Sequence, residues 1–164
     1  MRKVKQVKYL LFTTAMLFDN CSQDTFVFPI ASAQIEGVYE ANSYYAKNGV
    51  SGAYPIQGQT MTLKLTSIGR DSVKVEIEAK PNGDYSPGSN RTFEKLVIEP
   101  VIVAQLFGKK QVNCIGYNVD LPINQNSISE NELLRQICGD GSSIYYYFTS
   151  PISKEEATVR FIRK

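Results

Sequence analysis

Residues 60–66 and 72–78 read TMTLKLT and SVKVEIE. In both stretches apolar and polar side chains alternate, which is the pattern of a β-strand with one buried face and one solvated face. The five residues between them, SIGRD, include Gly69 and are short enough to form a hairpin turn. The centre of the sequence therefore predicts an antiparallel hairpin.

The same kind of segment recurs on both sides of this hairpin. We expect further strands at residues 37–46, 92–99, 101–107, 111–121, 143–149 and 157–162. Pro100 separates two of these strands or marks a sheet edge, because proline cannot donate a ladder hydrogen bond. Eight or nine short strands joined mostly in sequence predict an all-β fold, a single up-and-down antiparallel β-barrel over residues 35–164.

The segment 129–138 fits two structures. Ser129 and Glu132 have the spacing of a capping box, which favours a short helix. The same residues also fit a strand at 132–138 that is followed by an Asp140-Gly141 turn. We favour the strand, because it continues the meander, and we keep one short helix near 129–138 as the alternative.

The N-terminus predicts export. Residues 1–8 carry four positive charges, and residues 9–18, YLLFTTAMLF, form a largely apolar run. A basic segment followed by such a run is typical of a secretory signal peptide. The run is too short for a membrane-spanning helix, which needs about 20 residues. We therefore interpret residues 1–20 as a signal peptide.

Cys21 follows this segment and begins the motif CSQD. The motif resembles the start of lipoproteins of the Bacteroidetes type, in which an acidic residue soon after the lipidated cysteine is common. The resemblance implies lipidation of Cys21, a tether over residues 21–34 and an anchor in the outer membrane. The residues before Cys21, FDN, differ from the usual lipobox, so a second site stays open. Cleavage after residues 31–33 (ASA), before Gln34, would give a secreted or periplasmic chain. A cytosolic chain is the third possibility.

The other two cysteines lie in the predicted body. Cys114 and Cys138 enclose a loop of about 25 residues, and in an oxidising compartment a disulfide between them would stabilise the chain by roughly 3 kcal/mol. The alternative is two buried thiols that pack as small apolar side chains. We expect the disulfide if the chain is exported, since lipidation then accounts for Cys21.

Short motifs in the body resemble those of small bacterial lipocalin-like lipoproteins. Gly37-Val38-Tyr39, Gly58-Gln59-Thr60 and Asp71-Ser72-Val73 stand at or near the starts of three predicted strands. The resemblance spans most of residues 35–164 and implies a barrel that binds a small or lipidic ligand. The Gly-x-Trp motif of the better-known lipocalins is absent, because the chain contains no Trp.

Composition excludes several classes of function. Cleavage before Cys21 removes four of the 18 basic residues and one of the 16 acidic ones, which leaves a net charge of −1. Such a chain has no basic stripe for a nucleic-acid backbone. It also has no histidine, which removes Ser-His-Asp and Cys-His nucleophile systems and the usual zinc sites.

Acidic residues do not restore a catalytic or metal site. Glu76 and Glu78 share one strand face at roughly 6–7 Å, a separation that glycosidase carboxylates also use. Their alternation with Val75 and Ile77 instead indicates the solvated face of an ordinary strand. The Asp140-Gly141 turn supplies too few oxygen ligands for calcium. We expect no catalytic residues, no metal, no cofactor and no enzymatic activity.

Tyrosines are the remaining candidates for a binding surface. Tyr145 and Tyr147 share one face of the strand 143–149, and Ile144, Tyr146 and Phe148 share the other, so at least one set is core. Further tyrosines stand at positions 44, 45, 54 and 85. Tyrosine rings can stack on sugars or fit a flat protein surface.

Two hypotheses about function follow. In the first, the lipid-anchored barrel binds a small hydrophobic or lipidic ligand inside. In the second, its core is packed and it interacts with an envelope protein or a glycan. The sequence leaves the oligomeric state open.

Overall fold

The computed structural model describes residues 29–81, 83–85, 90–107, 110–122, 132–137, 141–150 and 153–164. The described residues form one short helix and ten strands: α1 (Ala31–Ile35), β1 (Gly37–Ala46), β2 (Ser51–Ala53), β3 (Thr60–Gly69), β4 (Ser72–Lys80), β5 (Arg91–Val97), β6 (Glu99–Phe107), β7 (Lys110–Leu121), β8 (Glu132–Gln136), β9 (Ser143–Thr149) and β10 (Glu156–Arg163). The predicted signal peptide, residues 1–20, lies outside this part of the chain.

The strands form one antiparallel sheet in the order β5-β4-β3-β1-β10-β9-β8-β7-β6, and β2 adds to β1. Most pairs in this order join strands that follow each other in the chain, and the exceptions are the pairs of β1 with β10 and of β1 with β3. The two ends of this path, β5 and β6, are separated in sequence by Ile98 alone. The sheet must therefore curl until its ends meet at this residue, and the predicted all-β, up-and-down barrel is confirmed.

The concave face of the curled sheet holds the core, because alternate side chains of each strand point to it. In β4, Val73, Val75 and Ile77 are buried, while Lys74 and Glu76 are half-buried on the other face. The same period in β9 places Ile144, Tyr146 and Phe148 in the core. The alternation read from the sequence thus assigns the two faces correctly in these strands.

β8 is a strand over residues 132–136, so the alternative of a short helix is wrong for these residues. Glu132, Leu134 and Gln136 are buried, whereas Leu133 and Arg135 are half-buried on the outer face, which is a period of two. The capping-box spacing failed as a signal because Glu132 has a partner inside the barrel. Residues 129–131 and 138 lie outside the described residues.

Helix α1 closes one end of the barrel. Its Ala31, Ser32 and Ile35 side chains are buried, and the Ser32 backbone N–H donates to the Arg70 carbonyl at 3.3 Å. The sequence did not predict this helix, since ASAQI is short and lacks an N-cap side chain. Helix α1 begins inside the segment 21–34 that was predicted to be a tether, and its buried side chains pack on the barrel.

Tyr39 and Arg163 fasten this end. The Tyr39 hydroxyl donates to the Ile35 carbonyl at 2.7 Å, and the Arg163 guanidinium donates to the Tyr39 hydroxyl at 2.9 Å and to the Glu36 carbonyl at 2.5 Å. The guanidinium carbon lies 5.3 Å from the centre of the Tyr39 ring, within cation–π range. First and last strands are thereby joined to α1.

Gly116 allows β7 and β8 to approach closely. A Cβ at this position would lie 2.6 Å from the Gln136 carbonyl oxygen and 3.2 Å from a Val103 methyl group. Real Cβ atoms essentially never come this near to a backbone atom.

Gly116→Ala is therefore expected to move the two strands apart and to lower the free energy of unfolding by about 1–3 kcal/mol, the usual cost of overpacking. Chemical denaturation measures the change. Asn113→Ala, on the exposed part of the same strand, is the control and should leave stability almost unchanged. Equal stabilities of the two variants would contradict the close approach.

Candidate functional site

Large side chains fill the interior of the barrel. Tyr39, Tyr117, Tyr146 and Phe161 are among the largest fully buried residues. The Tyr146 and Phe148 rings stack with their centres 4.9 Å apart. This close packing is that of a protein core, so the interior is the hydrophobic core of the fold.

Three polar side chains form a buried cluster within this core. Arg91 Nη1 lies 2.7 Å from Glu132 Oε2, and the two side chains are 2 % and 1 % exposed. Arg91 Nη2 donates to the Tyr146 hydroxyl at 2.6 Å, and that hydroxyl donates to Glu132 Oε2. The cluster joins the first residues of β5 and β8 to the middle of β9.

Charge pairing explains how this cluster is tolerated. Burial opposes the charge on Arg91, but the neighbouring Tyr146 and Glu132 outweigh it and raise the pKa of Arg91. Burial also raises the pKa of Tyr146, so its hydroxyl stays protonated. Since Arg91 and Glu132 pair with each other, the cluster holds three strands together. Arg91 Nε has no hydrogen-bond partner among the described residues.

A groove runs along the outer face of the barrel. Tyr45 on β1, Thr158 on β10 and Tyr147 on β9 are register partners and form one row across three adjacent strands. Their side chains alternate with buried ones, so they point outward. The groove has a volume of about 460 Å³. We call it the outer groove, and the residues that line it are Tyr45, Ala46, Lys47, Tyr147, Phe148, Thr149, Glu156, Ala157 and Thr158.

The two tyrosines stand apart across this groove. Two strand spacings, about 9–10 Å, separate the backbones of Tyr45 and Tyr147, and Thr158 lies between them. Tyr45 is 51 % exposed. The guanidinium of Arg135 lies 5.6 Å from the centre of the Tyr147 ring and donates from Nε to Asn118 Oδ1 at 3.0 Å, so the Tyr147 ring is held in place.

Charged groups lie at one end of the outer groove. Lys47 Nζ lies 2.9 Å from Glu156 Oε2, and the hydrogen bond to Glu156 raises the pKa of Lys47. Partial burial raises the pKa of Tyr147, so the hydroxyl is neutral at physiological pH. The groove thus combines two tyrosine side chains and one charged pair.

A second row lies next to the groove on the same face. Ser43, Arg160 and Tyr145 are register partners on β1, β10 and β9. Among the described residues, neither the Ser43 hydroxyl nor Arg160 Nε has a hydrogen-bond partner. The row extends the tyrosine-bearing surface from the groove toward α1.

The tyrosines named in the sequence analysis lie partly on the outer face of the sheet and partly in the core. Tyr45, Tyr145 and Tyr147 face outward, and Tyr146 belongs to the core. The sequence predicted that one of the two faces of the strand 143–149 is core, and the structure shows that it is the face with Tyr146. Tyr44 is buried against Tyr85 with ring centres 5.0 Å apart and planes at 89°. The groove itself could not be read from the sequence, because its rows depend on the pairing of β1 with β10.

Tyr54 is half-buried beside this ring pair. Its hydroxyl is buried and has no hydrogen-bond partner among the described residues. Burial, together with the nearby Tyr44, raises its pKa.

The two acidic residues considered for catalysis lie on a solvated face. Glu76 Oε2 is 3.2 Å from Lys64 Nζ, and the hydrogen bond from Lys64 lowers the pKa of Glu76. Glu78 Oε2 is 3.9 Å from Lys80 Nζ. Both are surface ion pairs, and the strand-face interpretation of the sequence agrees with them.

Of the three cysteines, the structure describes Cys114. Cys114 is half-buried in β7, with Sγ 3.3 Å from the Val103 carbonyl oxygen. Cys21 and Cys138 lie outside the described residues, so the lipidation and the disulfide stay predictions. In the described part of the chain, no helix is long and apolar enough to cross a membrane.

Comparison with known proteins finds distant structural similarity. No family model matches the chain, and no curated protein matches it. The chain is similar to the structure of a redesigned β-barrel, with 10 % identity and a TM-score of 0.43 over 84 % of this chain and 97 % of the other. It is also similar to a de novo designed fluorescence-activating β-barrel, with 9 % identity and a TM-score of 0.41 over 84 % and 100 %.

Breaking the buried ion pair from one side should strongly destabilise the barrel. Arg91→Met leaves Glu132 charged and unpaired in the core, and we expect a loss of about 3–5 kcal/mol in the free energy of unfolding. The double variant Arg91→Met/Glu132→Leu should recover most of it, because no buried charge remains. Thermal and chemical denaturation measure both.

The surface pair of Lys64 and Glu76 provides the control for this experiment. Lys64→Met should cost only a small part of the loss in Arg91→Met, because solvent screens this pair. A double variant as unstable as the single one would contradict the role assigned to the charge.

The unpaired hydroxyl of Tyr54 gives a prediction that depends on pH. The pKa of Tyr54 in the folded chain is raised above the ordinary 10.0, so the hydroxyl ionises less readily in the folded chain than in the unfolded one. The free energy of unfolding is therefore unaffected by this ionisation below pH 10 and falls as pH rises above that value. Tyr54→Phe should therefore stabilise the chain by up to about 1 kcal/mol at neutral pH and should weaken the alkaline loss of stability.

Denaturation at a series of pH values from neutral to alkaline measures both effects. Tyr45→Phe, which removes an exposed hydroxyl, is the matched control and should change neither. A Tyr54→Phe variant that is less stable than the wild type would mean that the hydroxyl has a partner.

Proposed function

We propose that the protein is a binding module that recognises a glycan in the outer groove. The observation that carries the proposal is the row Tyr45-Thr158-Tyr147, in which two aromatic rings flank a hydroxyl across three strands. A volume of about 460 Å³ lies within the range of small-molecule sites, roughly 300–1,000 Å³.

The chemistry of the groove suits a sugar. The apolar faces of sugar rings stack on tyrosine, which contributes apolar area and a hydroxyl together. Thr158 can donate to and accept from sugar hydroxyls between the two rings, and Lys47 and Glu156 offer a donor and an acceptor at one end. Arg135 keeps the Tyr147 ring oriented, so little freedom is lost on binding.

The barrel interior supports a ligand less well. Its volume is occupied by Tyr39, Tyr117 and Phe161. The charges of Arg91 and Glu132 are paired with each other, and only Arg91 Nε has no hydrogen-bond partner in this cluster among the described residues. Of the two hypotheses drawn from the sequence, the packed interaction module therefore agrees better with the described residues than the barrel with an internal lipidic ligand.

The cellular location is also a proposal. We propose that the chain is exported and anchored through lipidated Cys21 in the outer membrane. The alternative cleavage before Gln34 would remove Ala31 and Ser32, both of which are buried. That loss favours Cys21 as the start of the mature chain.

We further propose the disulfide between Cys114 and Cys138. β8 ends at Gln136, two residues before Cys138, and Gln136 pairs with Tyr117, three residues after Cys114. The two segments therefore run side by side close to both cysteines. Intact mass spectrometry of the non-reduced protein would reveal the lipid and the loss of two hydrogens.

Binding to a panel of neutral and acidic hexasaccharides tests the glycan proposal. The chain contains ten Tyr and no Trp, so tyrosine fluorescence follows binding, and the change in signal that is lost in the two alanine variants is the part that comes from the groove. Tyr45→Ala and Tyr147→Ala should each weaken binding about tenfold, as expected for the loss of roughly 1.4 kcal/mol.

Two further variants control this experiment. Tyr147→Phe keeps the ring and should bind nearly as well as the wild type, and Val38→Ala, a change on the outer face of β1 away from the groove, should have no effect. Failure to bind any of the glycans, or binding that both alanine variants retain, would refute the proposal.

A further inference from the structure

Within the part of the chain that the structure describes, β6 has a sheet edge without a neighbouring strand. It forms one end of the path of strands and pairs only with β7 among the described strands. The pairing runs without a register shift from Glu99 with Asn118 to Phe107 with Lys110. The other edge of β6 therefore presents a straight row of backbone N–H and C=O groups.

This edge is also unprotected. Natural proteins usually guard an edge strand with a charge, a proline or a bulge. Residues 101–107 read VIVAQLF, which contains none of these residues, and Pro100 stands only at the start. Ile102 is 72 % exposed, and Ala104 is exposed. An uncharged, regular and accessible edge of this kind is a template for another strand.

The charges at its two ends select the partner. Glu99 lies at the first residue of β6, and Lys109 and Lys110 follow its last residue in the sequence. When two identical strands pair in antiparallel fashion, each acidic end meets the basic end of the other copy. Parallel pairing would instead place like charges together.

We propose that the free edge of β6 binds the β6 edge of a second copy of this chain. The two strands pair in antiparallel fashion about a two-fold axis near the middle of β6, so that the hairpins form a four-stranded sheet in the order β7-β6-β6-β7. Backbone hydrogen bonds hold the copies together, and the ends with Glu99 fix their direction.

Sedimentation velocity of the full chain over a wide range of concentration tests the proposal. We expect a reversible monomer–dimer equilibrium. Ala104→Lys and Ile102→Lys place like charges next to each other at the two-fold axis and should raise the dissociation constant about tenfold or more. Ile68→Lys is the matched control, because Ile68 is an exposed apolar residue on β3, which has neighbours on both sides.

A charge exchange tests the antiparallel direction. Glu99→Lys should weaken the dimer, and adding Lys109→Glu and Lys110→Glu to that variant should restore it. Hydrogen exchange on the wild-type chain needs no variant, and it should find that amides of residues 101–107 become protected as the concentration rises.

Four outcomes would overturn the proposal: a chain that stays monomeric at all concentrations, a dimer that Ala104→Lys leaves unchanged, a charge exchange that does not restore association, and protection that develops outside β6. Binding of an extended peptide from another protein at β6, without self-association, would likewise overturn it. None of these results depends on glycan binding.

Discussion

The covalent link at Ile98 is the constraint on which the rest of the structure depends. β5 pairs with β4 and β6 pairs with β7, at opposite ends of the sheet, yet only one residue joins them. Ile98 is buried, and its N–H donates to the Asp71 carbonyl at 3.0 Å. One continuous segment therefore changes partner at a fixed corner, and the sheet has to curl around a common core.

Because the sheet curls, its concave and convex faces carry different kinds of side chains. The concave face receives the large apolar side chains and one buried polar cluster, Arg91 with Glu132 and Tyr146. The convex face keeps tyrosines that no core element covers. Large side chains pack in the interior of this small barrel and stabilise it, whereas the proposed glycan site lies on the outer face. Stability and the proposed recognition would therefore depend on opposite faces of the same strands.

Local alternation predicted most of the strands and their faces. The limits of β1 and β9 agree with the sequence, although a register shift between Ala41 and Ser43 changes the phase of the alternation in β1. Arg91 and Glu132 could not be foreseen inside, since a charged side chain normally indicates a surface and their pairing joins strands 41 residues apart in the chain. The outer groove was hidden for a similar reason, because its three residues come from β1, β9 and β10.

The direction of β1 has a consequence for how the barrel is displayed. The first residues of β1 lie beside α1 and the last residues of β10, where Lys164 donates its N–H to the Val38 carbonyl at 2.9 Å. Tyr45 and Lys47 lie at the far end of the same strand. An attachment through the segment before α1 would therefore lie at the end of the barrel that α1 closes. The end with Tyr45 and Lys47 would then point away from the point of attachment.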